Sequence, residues 1–428
     1  MKSLSCIFCF LFVIVSVSQT PSALRSPVLN EADAKEVGMS SERLSKIDAM
    51  ISEEVKNGTI PGAVALIARK GKIVFHKSYG MANVAEEIPL EKDAIFRIAS
   101  QTKAITSTAV MMLWEEGKFQ LDDNISEYIP EFAEAHILDT FNEADSTFTT
   151  KPAENQITIR DLLTHTSGIG YGVIDGDTRF KKIYAKAGIT DLFTTEKVTI
   201  AESVQKLAKL PLHHEPGEAF TYSEGLDVLG YFVEVISGKP FDEFLRTRIF
   251  DPLKMDDTWF YLPTDKHDRL VAVQHKKNEK WTKYPVTFYD TDYPKKGAKI
   301  FFSGGAGLSS TAKDYATFLQ MYLNEGELNG VRLLSRTTVR SILGNQIGTI
   351  WEGPKHHGLA FSIVNEKGEI SGGLGSTGTF EWGGYFNTQY FADPKEEVIG
   401  ILMKQTQGPV SDETSWKFKQ MLLASIDD

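Results

Sequence analysis

Cysteine is nearly absent from this chain: there are two, Cys6 and Cys9, both inside an apolar start. If that start is removed, the remainder has none. Disulfides, thiolate metal sites and cysteine nucleophiles are then excluded together. Nucleophilic chemistry must come from Ser, Thr, Tyr, Lys or a carboxylate. Positive charge is also short, with 46 Lys and Arg against 57 Asp and Glu and a formal net charge of −11. Without a basic block, nucleic acid and anionic membrane are poor partners. Long apolar runs are scarce as well. Residues 6–17 make a 12-residue apolar stretch after Lys2, too short for a comfortable membrane span. Ser16 and Ser18 put small residues before Gln19, so residues 1–18 read as a signal peptide and the chain as exported, periplasmic or extracellular, with no stable membrane span after cleavage. There is no Gly-x-Ser-x-Gly elbow and no His-Glu-x-x-His. His213-His214-Glu215 and His356-His357 read as solvated loops rather than metal ligands, and Asp122-Asp123-Asn124 as a turn. Residues 373–378 spell G-x-G-x-x-G, but a strand pattern rather than a helix follows, which rejects nucleotide binding. No cofactor and no metal are expected.

What is present is ordinary globular sequence, 428 residues, 42% hydrophobic and 24% charged. Residues 40–56 repeat apolar side chains on one helical face. Residues 63–68 and 73–79 read as a hairpin through Lys70-Gly71-Lys72, and residues 96–99 as a short apolar run before a helix from Ser100 to Glu116. Helical periodicity covers residues 159–164, 199–210, 224–236, 241–250 and 311–324, while the polar residues 134–155 read as a loop. Residues 359–364, 388–392 and 398–404 read as strands, with turns at Lys367-Gly368 and Asp393-Pro394 and a closing helix over 413–426. Strands at both ends with helices between predict an α/β architecture of the α+β type. An antiparallel sheet with flanking helices is built from both termini (residues 30–99 and 300–428), and a mostly helical domain (residues 100–299) is inserted. The site is expected in the cleft between the two, with specificity in segments such as 134–155, 172–197 and 264–299.

Ser-x-x-Lys occurs three times, at Ser100/Lys103, Ser203/Lys206 and Ser310/Lys313. On a helix, residues three apart share a face, so a lysine can hold or remove the serine proton. The spacing alone says little. Ser203 sits mid-helix on a face read as polar. Ser310 reads as a helix cap, and Tyr322 lies too far along the same helix to reach it. Ser100 follows an apolar run and opens a helix that Ala104, Ile105, Ala109 and Val110 would bury, which exposes a serine at a rigid corner.

From these residues a resemblance follows. Arg97-Ile98-Ala99-Ser100-Gln101-Thr102-Lys103 resembles the first motif of serine β-lactamases and penicillin-binding proteins. Asp161-Leu162-Leu163-Thr164-His165-Thr166-Ser167-Gly168 resembles a landmark of the class C-like branch, and Phe220-Thr221-Tyr222-Ser223-Glu224 its tyrosine motif. Trp382-Gly383-Gly384-Tyr385 stands where that family has Lys-Thr-Gly. The resemblance runs from about Val37 to the C-terminus and implies a β-lactamase/transpeptidase-like fold. It makes Ser100 the acylated nucleophile, with Lys103 and Tyr222 sharing base and acid duty and the backbone N–H groups of Ser100 and Tyr385 forming an oxyanion hole. His165 is then structural.

Two departures turn the expectation from β-lactams to esters. Glu224 replaces the motif's asparagine, and Trp382 replaces the cation that would meet a β-lactam carboxylate. This combination resembles the family VIII carboxylesterases. Glu224 is either solvated surface or a negative modulator near Lys103, where its charge would favour the ammonium form and shift base duty to Tyr222. The expected partner is a small ester or amide. The alternatives are a β-lactamase, a D-amino-acid peptidase or DD-peptidase on the same fold, and a catalytically silent acyl-binding or sensor domain.

Overall fold

The computed structural model describes residues 29–408 and 412–428; the expected signal peptide lies outside them. Residues 62–69 are apolar almost without a break, because the Gly62–Arg69 strand is covered on both faces and every one of its residues is buried. Alternate side chains go opposite ways: Ala63, Ala65 and Ile67 pack with Leu44, Ile47, Phe418 and Leu422, whereas Val64, Leu66 and Ala68 join the main core with Tyr315 and Phe318. The strand is antiparallel to Lys72–Asn83 on one side and to Val398–Met403 on the other, so the two ends of the chain meet mid-sheet. The order then continues through Thr388–Asp393, Phe380–Gly383, Ser362–Val364 and Lys355–His357. Asn30–Glu31 adds a parallel edge strand and Ile88–Pro89 pairs with Lys72–Asn83, making nine strands.

The Ser41–Lys56 and Thr414–Leu423 helices cover one face. Between the two parts of the sheet the chain supplies Thr102–Glu115, Ile159–Thr164, Thr178–Ala187, Ile200–Leu207 and Gly225–Ser237, with Ala312–Leu323 on the sheet's second face. Thr102–Glu115 is buried from Thr102 to Leu113. Two of its threonine hydroxyls are satisfied by carbonyls, Thr106 donating to Gly304 O and Thr108 to Ala104 O, which helps so polar a helix sit inside. Among the described residues no helix is long and apolar enough to cross a membrane.

Several local expectations are corrected. Residues 134–155 contain a hairpin, His136–Phe141 with Phe148–Pro152, whose second strand is exposed throughout; with no buried face it carries no apolar alternation to read. Within 172–197 and 264–299 lie the Thr178–Ala187 helix and a Gln274–Lys277/Lys280–Lys283 hairpin. Lys367-Gly368 falls inside a short helix, Glu366–Ser371, capped by the Asn365 side chain. Residues 241–250 end in a π-helical turn, Arg246–Phe250. Ser310 caps nothing: it pairs with Phe96 across a two-stranded ribbon, and Thr311 is the cap. Ser203 is buried rather than on a polar face, its hydroxyl donating to Thr190 O. The helix expected from Ser100 starts two residues later, after a 3₁₀ turn.

Candidate functional site

Ser100 sits in the tight turn Ala99–Gln101, between the Phe96–Arg97 strand and the Thr102–Glu115 helix. Ala99 before it is held at φ +44°, a strained conformation for a residue with a Cβ. The corner is tied down on both sides. Ile98 N donates to Leu308 O, and Leu308 N to Thr102 Oγ1. Arg97 is wholly buried, donating to Thr291 O at 2.6 Å and Val271 O at 2.7 Å, while its amide bonds Gln405 Oε1.

Lys103, one helical turn on, is 4% exposed. Its Nζ donates to Tyr171 Oη and Gly305 O, both at 2.8 Å, and reaches Ser100 Oγ at 3.5 Å. It lies 4.6 Å from the centre of the Tyr222 ring. Tyr222 arrives from a separate segment braced by His165. That residue ends the Ile159–Thr164 helix in a left-handed conformation, its carbonyl accepts from Thr221 N, and its Nδ1 accepts from Ser223 N. Burial holds His165 well below its ordinary pKa, so it is neutral. The Ile159–Thr164 helix is itself fixed by a Thr158–Asp161 capping box.

The glycines after Trp382 bring the third segment in. A Cβ on Gly384 would stand 2.5 Å from Ile98 O and 2.2 Å from Thr388 Oγ1, so only glycine lets this strand end lie against the nucleophile corner. Tyr385 follows and joins Phe193, Tyr289 and Phe386 in an aromatic wall beside Ala99 and Tyr222. Thus Ser100, Lys103, Tyr222, Trp382, Gly383, Gly384 and Tyr385 converge from three distant segments, while Ser203 and Ser310 lie elsewhere.

Sequence reasoning missed three groups here. Tyr171 is buried against Lys103, and burial with the nearby Tyr222 pushes its phenol well above the usual range. Asp227 accepts from Gly305 N, whose carbonyl in turn accepts from Lys103. Asp191 accepts from Val173 N at 2.6 Å. Glu224 is not solvated surface: it is 2% exposed and its Oε1 has no hydrogen-bond partner among the described residues. Burial first, and then the neighbouring carboxylates, raises Glu224 well above the ordinary range and Asp191 to about 6, while burial alone raises Asp227. An acid on the apolar face of Leu226-Asp227-Val228-Leu229 was the readable signal for Asp227.

On the other flank stand Phe220, Trp351, His357 and Trp382. His357 is buried in the Lys355–His357 strand, not in a solvated loop. His213 stacks on Phe180 and bonds Asp175. Among the described residues no group of three or more His, Cys, Asp or Glu could hold a metal. Glu381, beside Trp382, is taken by Lys355 and Lys419. A cleft of about 680 Å³ lies against the Thr414–Leu423 helix, and Ser100, Lys103 and Tyr222 are not among its walls.

The arrangement can perform acyl transfer: a serine at a strained corner, a buried lysine and a phenol on it, and backbone N–H groups close by. Comparison with known proteins points the same way. A profile of the family described as Beta-lactamase matches residues 47–424. Protein Rv1367c of Mycobacterium tuberculosis is 33% identical over 83% of this chain and 88% of its own. Esterase EstB of Burkholderia gladioli is 30% identical over 85% and 90%. The structure of EstCE1, a hydrolase with promiscuous acyltransferase activity, superposes with a TM-score of 0.73 at 23% identity, covering 90% of this chain and 99% of that one.

Proposed function

Because the chain belongs to the β-lactamase family of serine hydrolases, we propose that it hydrolyses small carboxylic esters through an acyl-enzyme on Ser100. The observation that carries this is the buried Lys103 side chain, its Nζ 3.5 Å from Ser100 Oγ and 4.6 Å from the centre of the Tyr222 ring. Ser100 Oγ attacks the ester carbonyl, and its proton passes to the Tyr222–Lys103 pair. The N–H groups of Ser100 and Tyr385 receive the oxyanion. The C–O bond to the alcohol breaks and the alcohol oxygen takes the proton. Water, activated by the same pair, then releases the acid. Tyr171 supports the exchange, because its hydroxyl accepts from an ammonium or donates to an amine.

Esters are favoured over β-lactams because Trp382 stands where a cation would meet the lactam carboxylate, and Lys355 and Lys419 are spent on Glu381. Short-chain p-nitrophenyl esters should be turned over, and a fluorophosphonate should label Ser100. Unchanged turnover in Ser100→Ala, or a chromogenic cephalosporin as the preferred substrate, would defeat the reading. The same reading puts the mature protein outside the cytoplasm on the strength of residues 1–18; N-terminal sequencing of the exported protein should begin at Gln19.

A further inference from the structure

In the ester hydrolase reading above, the proton taken from Ser100 is delivered to the departing alcohol. The leaving group therefore lies on the Tyr222 side of the site, not against the Tyr385 wall. That side is made of rings. Phe220, two residues before Tyr222, lies 4.5 Å from Trp351, centroid to centroid. His357 meets Phe220 at 5.7 Å and turns its edge to Trp351 at 5.6 Å and to Trp382 at 5.5 Å. Trp382 is 5.9 Å from the Tyr222 ring and only 34° from parallel with it. His357 is 2% exposed, and burial lowers it to about 4, so it supports the others as a neutral ring. Phe220, Trp351 and Trp382 are only half-buried. Neutral, rigid, edge-supported aromatic surface favours another flat ring over a flexible or charged group.

We infer that Phe220, Trp351 and Trp382, braced by His357, form a subsite for an aromatic leaving group, so that the preferred substrates are esters whose alcohol carries an aryl ring. During acylation the Ser100 Oγ–acyl bond forms, the bond to the arylmethyl oxygen breaks, and that oxygen leaves protonated while its ring rests on the platform. The contact is equal in ground and transition states, so it acts through KM.

The test pairs 2-naphthylmethyl acetate with cyclohexylmethyl acetate, two primary-alcohol esters of similar intrinsic reactivity. Wild type should favour the naphthyl ester on the order of tenfold in kcat/KM, mostly through KM. Trp351→Ala should bring the ratio toward one, Trp351→Phe should keep much of it, and Phe220→Leu should lower it independently. A wild-type ratio near one, or a ratio unchanged in both Trp351→Ala and Phe220→Leu, overturns the subsite. Ser100→Ala titrated with 2-naphthylmethanol by NMR gives a second readout that needs no turnover. Binding should weaken when Trp351→Ala is added, and equal binding overturns the platform. Failure of the serine reading shows instead as ester turnover persisting in Ser100→Ala, and the alcohol titration decides the subsite even then.

Discussion

Lys103 has three N–H donors as an ammonium, and the structure finds three acceptors for them: Tyr171 Oη, Gly305 O and Ser100 Oγ. Tyr171→Phe removes one partner from a buried cation. A lost hydrogen bond to a charged group is worth ~1.5–3 kcal/mol, so kcat should fall about 10- to 100-fold with KM little changed. An unaltered kcat would mean that the Tyr171 hydroxyl merely packs. Asp191 allows a test by pH. Its carboxyl rises from 3.8 to about 6 in the folded protein. A raised acid stabilises fully below its unfolded pKa and loses that contribution as pH rises through the folded one. Wild type should therefore lose stability relative to Asp191→Asn between about pH 4 and 7, by ~3 kcal/mol in all, measured by urea unfolding at each pH. A flat difference would show that Asp191 stays ionised. Tyr171 was invisible in the sequence because the motif that announces its segment ends at Gly168, and the Gly-Tyr-Gly that follows has the look of a loop.

Two glycines separate the making of the site from the making of the fold. Gly384→Ala puts a Cβ against Ile98 O, backbone of the nucleophile corner itself. The strand end must back away from Ser100, and displacements of about 1 Å cost on the order of 100-fold in rate, so kcat/KM should collapse while circular dichroism stays native. Gly400→Ala meets the Phe391 ring at 2.4 Å and Leu422 at 2.7 Å, beneath the Thr414–Leu423 helix. Overpacking there should cost ~1–3 kcal/mol in unfolding and leave kcat alone. If both variants lost activity in step with stability, corner and helix seat would not be separable. The same contrast explains what the sequence discloses. Gly62–Arg69 was legible because both faces are buried and the chain pays out apolar residues without pause. The His136–Phe141 hairpin was not, since its second strand is exposed throughout and its first buries only Ile137 fully, which leaves no alternation to read. Ser100, Lys103 and Tyr222 were legible through motif order, whereas Glu224, Asp191 and Asp227 gather only once Gly172, Val173 and Gly305 are folded around them.

At the scale of the molecule, charge decides which esters approach. The chain carries a formal −11. The two buried cations at the nucleophile corner are committed, Lys103 to Tyr171 and Gly305, Arg97 to Thr291 and Val271 carbonyls. A substrate with its own carboxylate meets a negative field, and the two lysines beside the Trp382 strand, Lys355 and Lys419, are paired with Glu381. p-Nitrophenyl butyrate and mono-p-nitrophenyl succinate share a leaving group and nearly share an acyl length, so their comparison isolates that charge. The neutral ester should be favoured at least about tenfold at low salt, and the ratio should shrink as salt rises toward ~0.5 M, where the screening length falls to a few ångströms. A preference for the anionic ester, weakened by salt, would place an uncommitted cation in the site and restore β-lactams as substrates. A preference for the neutral ester that salt does not change would assign the discrimination to shape, and would move attention from the net charge to the aromatic wall of Phe193, Tyr289 and Tyr385.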